Sequence, residues 1–235
     1  MKLSVVMPVY NERETIEEIV EQVRATPVDK EIIIVDNCST DGTREIVQAM
    51  IHPEIQIILQ DRNRMKGNSV KRGIAAARAE FTIIQDADLE YDPRDYQSLL
   101  DAVAKDGMMA ALGSRVLGMA RSGEAMPVSS FSLGRDVLND YFSVLYDARL
   151  TDIATCYKLA PTTVFQSLGL VSDGFDLDFE IAGKFVLAAR ARGMTVADVP
   201  IRYYPRTTDE GKKIRWTDGI TSLAAITRYR FASMT

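Results

Sequence analysis

Histidine and cysteine are nearly absent: the 235 residues include one His and two Cys. Cys38 and Cys156 fit no metal-ligand spacing and are too few for a disulfide framework, so a buried reduced thiol is the simple expectation for each. His52 stands before Pro53 in a turn-like stretch and reads as a surface residue. Long apolar runs are missing too. No window nears the roughly 18 residues that a membrane span needs. The apolar segment at 3–9 runs at once into Glu12, Arg13 and Glu14, unlike a secretory leader. The expectation is a cytoplasmic chain that does not cross a bilayer but could lie against one. An excess of positive charge is also lacking. A net charge of −5 and a pI near 5.1 argue against a nucleic-acid partner, while local basic clusters could still hold phosphate. The familiar phosphate cradles are the last absence. No G-x-G-x-x-G follows the first apolar run, and the G-x-x-x-x-G at 113–118 continues into Met119 and Ala120 where a P-loop needs Lys and Ser or Thr.

What is present is a rhythm. With 46% hydrophobic and 26% charged residues, the chain alternates short apolar runs with amphipathic stretches, the pattern of βα units on a mostly parallel sheet. Strands are expected at 3–8, 31–36, 55–60, 81–86 and 108–113, rich enough in Val and Ile to be buried on both faces. Helical spacing marks 15–25, 42–50, 68–79 and 94–104, with Ile16, Ile19, Val20 and Val23 as the core stripe of the first. Thr15 or Asn11 is the expected cap of that helix. After Gly113 the rhythm breaks, and residues 113–130 read as a long mobile loop. A helix with a wide apolar face follows at 131–148, then a strand at 155–161, helices near 162–168 and 177–192, a strand at 194–201 and an amphipathic helix at 216–231.

In such a sheet, ligands gather at the carboxyl ends of the strands. Tyr10, Asn11 and Glu12 follow the first strand, Asp36 ends the second, and the fourth ends in Asp86, Asp88 and Glu90. Acids at i and i+2 of extended chain share a face, so these three can point together. A hard dication such as Mg²⁺ or Mn²⁺ at their focus would turn repulsion into coordination and could neutralise a nucleotide diphosphate without a glycine-rich loop. The plainer alternative is a solvated acidic turn, with Asp92-Pro93-Arg94 opening the next helix.

An ordered set of motifs weighs on that choice: MPVYNERETI (7–16), IIIVDNCSTDGT (32–43), QDADLEYDP (85–93), GSR (113–115), DIATCYKLAP (152–161) and VPIRYYPRTTDEGKKIRWTDG (199–219). With these, the chain resembles the dolichol-phosphate mannosyltransferase-like, polyprenyl-phosphate members of glycosyltransferase family 2 over nearly its whole length. The resemblance implies a GT-A fold in one domain over 1–235, with a nucleotide-binding half (1–113) and an acceptor-binding half (114–235). It further implies a nucleotide-diphosphate sugar donor, a divalent metal and inversion at the anomeric carbon. Carried onto this sequence, it places Pro8, Tyr10 and Glu12 at the base and ribose, with Val35 and Asp36 on the nucleoside's other side. Asp86 and Ala87 fall near the ribose and metal, and Asp88 with Glu90 become metal ligands. Glu90 stands where the family often has Gln, which leaves the choice between Mg²⁺ and Mn²⁺ open. Arg115 would sit beside the acceptor phosphate, Arg135 would close over the donor, and Arg206 and Lys212 would face the diphosphate.

A lipid phosphate is already ionised near neutral pH, so such a transfer needs alignment and leaving-group stabilisation more than a strong base. Two alternatives remain at this level. A saccharide or small-molecule hydroxyl acceptor would require a base, for which Asp178 or Glu180 in DGFDLDFEIAG is the natural choice; the same acids also suit a helix N-terminus, as does Asp176. A non-catalytic nucleotide-sugar-binding subunit is the other. Lys66-Gly67-Asn68 is either a nucleotide contact or a helix start. A polyprenyl acceptor implies peripheral membrane contact, a membrane-anchoring partner or a homodimer face, for which the helix at 131–148 is the candidate.

Overall fold

The computed structural model describes residues 2–123, 130–206 and 217–232. Seven strands form one sheet: β1 Leu3–Val9, β2 Lys30–Asp36, β3 Ile55–Leu59, β4 Phe81–Ile84, β5 Met108–Ser114, β6 Lys158–Pro161 and β7 Thr195–Pro200, in the order β3-β2-β1-β4-β6-β5-β7. β6 runs antiparallel to β4 and β5, and every other pairing is parallel. β1 and β2 are buried on both faces as expected, with all seven residues of β2 buried, whereas β3, expected to be buried likewise, lies at the sheet edge and is only half-buried, with Leu59 exposed. With β1, β2 and β4 parallel and adjacent, their carboxyl ends open on one rim.

The helices are α1 Ile16–Ala25, α2 Thr43–Ala49, α3 Met65–Ala76, α4 Tyr96–Val103, α5 Arg115–Ser122, α6 Ser130–Tyr146, α7 Thr162–Ser167, α8 Leu177–Arg190 and α9 Thr217–Ala232, with a 3-10 turn at Pro93–Asp95 before α4. In α1 the expected stripe of Ile16, Ile19, Val20 and Val23 is buried. Thr15 stands at its N-cap position, yet its hydroxyl accepts from no helix amide and donates to the carbonyl of Ala87 at 2.8 Å, tying α1 to the loop after β4. α3 begins about a turn before its expected start, because the Asn63 side chain accepts from the Met65 amide at 2.9 Å. Both cysteines are free thiols, but only Cys156 is buried; Cys38 is half-exposed.

Residues 113–130 are not the expected loop throughout. Arg115–Ser122 is a helix, α5, capped by the Ser114 hydroxyl accepting from the Leu117 amide at 3.0 Å and ended by left-handed Gly123. Eight residues show too little of a repeat to announce a helix. What holds this one is a tertiary approach: a Cβ at Gly118 would lie 1.8 Å from the Ile201 carbonyl oxygen, so α5 seats its backbone on the chain just after β7. Residues 124–129 lie outside the described residues.

Candidate active site

A cavity of about 410 Å³ opens at the carboxyl ends of the strands. Pro8, Tyr10 and Glu12 come to it from the end of β1, and Asp86, Ala87, Asp88 and Glu90 from the end of β4. Arg115 enters from the start of α5, and Arg206 with Tyr203 from the chain beyond β7. Nine of the residues expected at a site therefore meet in one cavity, although they are drawn from positions 8 to 206.

The acidic loop does not converge by strand alternation. β4 ends at Ile84, and Leu89 adopts a left-handed φ of 63°, so the segment turns instead of extending. Asp88 Oδ1 accepts from the Glu90 amide at 3.2 Å within that turn. Left-handed backbone at a non-glycine residue costs roughly 1–2 kcal/mol. Asn11, Cys38 and Met65 also have positive φ, so four of the five such non-glycine residues among the described residues lie on the loops and at the start of α3 around this rim. Below the loop, buried Gln85 accepts from the hydroxyls of Tyr96 at 2.6 Å and Tyr157 at 2.7 Å and donates to the Asp86 carbonyl at 2.9 Å.

The three carboxylates have different partners. Asp86 is paired with the Lys66 ammonium at 2.8 Å. Glu90 accepts from the Arg206 amide at 2.9 Å and the Tyr203 hydroxyl at 3.1 Å. Asp88 is pushed up to about 7, first by burial and then by the charges of Asp86 and Glu90, against a smaller opposing pull from Arg206. That guanidinium spends its own contacts elsewhere, on the Asp88 carbonyl at 2.8 Å and on Glu12 at 2.9 Å.

A carboxyl whose ionisation is opposed by burial and by neighbouring acids is a site that a cation would relieve. Among the described residues, however, no group of three or more His, Cys, Asp or Glu stands in a metal-holding arrangement. This fits an ion of the Mg²⁺ type, which is held by one or two carboxylates together with substrate phosphates and water instead of an all-protein cage. Asp88 is the ligand with the strongest claim. Glu90 accepts one donor on each carboxylate oxygen, and each oxygen keeps a second lone pair with which it could act as second ligand.

On the opposite wall, Arg115 grips Asp152 through two hydrogen bonds of 2.6 and 2.7 Å, and its guanidinium lies 5.1 Å from the centre of the Tyr203 ring. Burial alone would lower its pKa; Asp152 outweighs that and holds it charged. Arg115 is thus a fixed cation at the start of a helix and not the loop residue its sequence context indicated.

Other expected residues are elsewhere. Val35 and Asp36 are fully buried in β2 and outside the cavity lining; Asp36 accepts from Arg44 at 2.7 Å beneath the floor, and its neighbour Asn37 is what reaches the cavity. Arg135 is also outside the lining and pairs with Asp136 at 2.6 Å on α6. Lys212 lies outside the described residues. Glu180 cannot serve as a base at this site: it is fully buried, accepting from the Val171 and Ser172 amides and from Lys184. Asp178, two residues earlier, does line the cavity. Sequence reasoning missed Asn37, Asn63, Met65, Tyr91 and Phe175 as lining residues. Of these, Asn37 lies inside the IIIVDNCSTDGT motif and Tyr91 inside QDADLEYDP, which were the available signals.

Residues 4–165 match the family described as glycosyl transferase family 2. The chain belongs to that family. Among curated family relatives, it is 28% identical over 207 residues to the low-salt glycan biosynthesis hexosyltransferase Agl6 of Haloferax volcanii, covering 87% of this chain and 48% of Agl6. It is 33% identical over 118 residues to the dolichol-phosphate mannosyltransferase of Pyrococcus furiosus, covering 49% of this chain and 33% of that protein. The chain thus spans at most about half the length of these two relatives. Among solved structures, glucosyl-3-phosphoglycerate synthase of Mycobacterium tuberculosis, in complex with Mn²⁺, UDP and glucosyl-3-phosphoglycerate, superimposes with a TM-score of 0.63 at 15% identity, over 97% of this chain and 79% of that one. That likeness establishes the GT-A fold for this family 2 chain.

Proposed function

We propose that this protein is a metal-dependent, inverting hexosyltransferase that moves a sugar from a nucleotide-diphosphate donor to a polyprenyl phosphate. The observation that carries the reading is the cavity itself, in which the acids Asp86, Asp88 and Glu90 face the cations Lys66, Arg115 and Arg206. The family relative named for dolichol phosphate supports the acceptor class, and the solved relative with Mn²⁺ and UDP supports a divalent ion and a nucleotide donor.

In this reading Pro8, Tyr10 and Asn37 border the nucleoside, and Asp86 meets the ribose. A divalent ion bound at Asp88 would act as a Lewis acid that neutralises the departing diphosphate. Arg206, anchored on Glu12 and the Asp88 carbonyl, supplies positive charge to the same group. Arg115 serves the acceptor: a guanidinium suits a phosphate's paired oxygens, and its clasp with Asp152 fixes where it points. A single displacement by the phosphate oxygen inverts the anomeric carbon.

No helix among the described residues is long and apolar enough to cross a membrane. Because a polyprenyl chain stays in the bilayer, the reading places this protein at a membrane surface. α6 exposes Val137, Tyr141 and Val144 at helical spacing, which supports such a contact.

The test is product formation from radiolabelled GDP-mannose and UDP-glucose with polyprenyl phosphate, in Mn²⁺, in Mg²⁺ and in EDTA. Lipid-linked sugar that requires the ion is expected. Transfer only to a free saccharide or to phosphoglycerate would replace the acceptor, and no transfer from any donor would overturn the activity.

A further inference from the structure

Strand β6 buries a lysine completely. Lys158 has none of its side chain exposed, and an unpaired ammonium in that position would be strongly unfavourable. Its Nζ donates to the Thr155 carbonyl and, at 2.9 Å, to Oδ1 of Asp178. Oδ2 of Asp178 faces the Lys66 ammonium at 3.8 Å, and Lys66 reaches Asp86 at 2.8 Å beneath the ring of Phe175. Four side chains of alternating charge therefore run from the middle of the sheet to the cavity wall.

Five carboxylates line the cavity: Glu12, Asp86, Asp88, Glu90 and Asp178. Glu12 is paired with Arg206, Asp86 with Lys66, and Glu90 accepts two hydrogen bonds. Asp88 is the cation ligand of the proposed reaction. Asp178 has one oxygen on Lys158 and the other turned to Lys66. A general base needs an oxygen within hydrogen-bond reach of the proton it removes. Asp178 is held between two ammonium groups, Lys158 on Oδ1 and Lys66 facing Oδ2, a placement that suits a fixed charge.

Resting on the function proposed above, we infer that Asp178 is a positioning residue and not a base: backed by Lys158, it shares the Lys66 ammonium with Asp86, so that neither group is lost to the other on the donor side. Without Asp178, Lys66 collapses onto Asp86 alone and withdraws both from the donor. Lys158 is then left in the sheet without its counter-charge.

The experiment compares wild type, Asp178→Asn, Lys66→Met and the double variant. Asparagine keeps an acceptor for Lys158. UDP and GDP binding with Mn²⁺ is measured by calorimetry, and transfer to polyprenyl phosphate is followed across pH. Each single variant should raise donor KM and weaken nucleotide binding about tenfold while kcat stays within about threefold. The pH profile should keep its shape, and the double variant should be no worse than the worse single one, because the pair acts as a unit. Loss of about 10²-fold or more in kcat on Asp178→Asn, at unchanged donor KM, is the signature of a base and overturns the inference. Should Asp178→Asn fail to fold, Lys66→Met decides alone: unchanged nucleotide binding overturns the proposal, and a tenfold loss upholds it. Failure of the function proposed above looks different, since wild type itself would then make no lipid-linked product while calorimetry still reads the Lys66–Asp178 pair.

Discussion

Asp88→Asn should stabilise the metal-free protein at pH 8, although it removes the residue on which the proposed chemistry depends. Asp88 is pushed from an ordinary 3.8 up to about 7 by burial and by the neighbouring charges of Asp86 and Glu90. Since the folded value lies above the unfolded one, the protonated carboxyl favours the folded state. Its contribution is complete below about pH 4 and is lost as pH rises through about 7. At about 1.4 kcal/mol per tenfold change in acidity, the full effect is about 4 kcal/mol, an upper figure for a group beside an open cavity. Even half of it would move the melting midpoint of a chain this size by roughly 4–8 °C. Asparagine keeps an oxygen for the Glu90 amide without the charge. Thermal melts in EDTA should show Asp88→Asn matching wild type near pH 4 and exceeding it at pH 8. Added Mn²⁺ should raise the wild-type midpoint at pH 8 and leave the variant unchanged. A metal-free variant no more stable than wild type at pH 8 would refute the electrostatic account of the loop. An equal response of both proteins to Mn²⁺ would refute Asp88 as the ligand.

Gln85→Leu strands the buried hydroxyls of Tyr96 and Tyr157 and releases the Asp86 carbonyl; at about 1–3 kcal/mol for each stranded hydroxyl, urea unfolding should show a loss of about 2–6 kcal/mol together with weaker nucleotide binding. Gly118→Ala puts a methyl 1.8 Å from the Ile201 oxygen, so α5 must shift, and with it Arg115; transfer to polyprenyl phosphate should fall more than nucleotide binding measured by calorimetry. Glu180→Gln should lower stability at pH 7 by about 1.5–3 kcal/mol and leave nucleotide binding alone. Burial would raise the Glu180 pKa, but Lys184, Ser172 and Val171 outweigh it and hold it low. Its contribution is therefore fully present above the ordinary carboxylate range, and the gap between wild type and variant should close as pH falls below that range, through the lowered folded value.

Much of the fold was legible because buried parallel strands advertise themselves. KEIIIVD and LSVVMPV are apolar on both faces, and their order along the chain is the order of βα units. Asp86, Asp88 and Glu90 could be nominated for the same reason, as acids where an apolar run stops. How they converge was not legible. Alternation in an extended segment was the expectation, and Leu89 in the left-handed region is what occurs. Arg115 was identified as a site cation but placed in a loop, because α5 exists through its contact with Ile201 and not through any repeat of its own. The sequence around Lys66 admits two meanings, because its partner Asp178 is 112 positions away by the numbering of the chain.

Patterns of hydrophobicity and acids at strand ends are local quantities, so the amino-acid sequence alone determined the strands, most helices and the rim on which a ligand would sit. Pairing is not local. Which carboxylate keeps a lysine, which accepts backbone amides and which is left to a cation depended on chain segments meeting across the sheet. Only the tertiary structure could divide Asp86, Asp88, Glu90, Asp178 and Glu180 among those roles, because charge in a buried site is governed by its nearest neighbours in space.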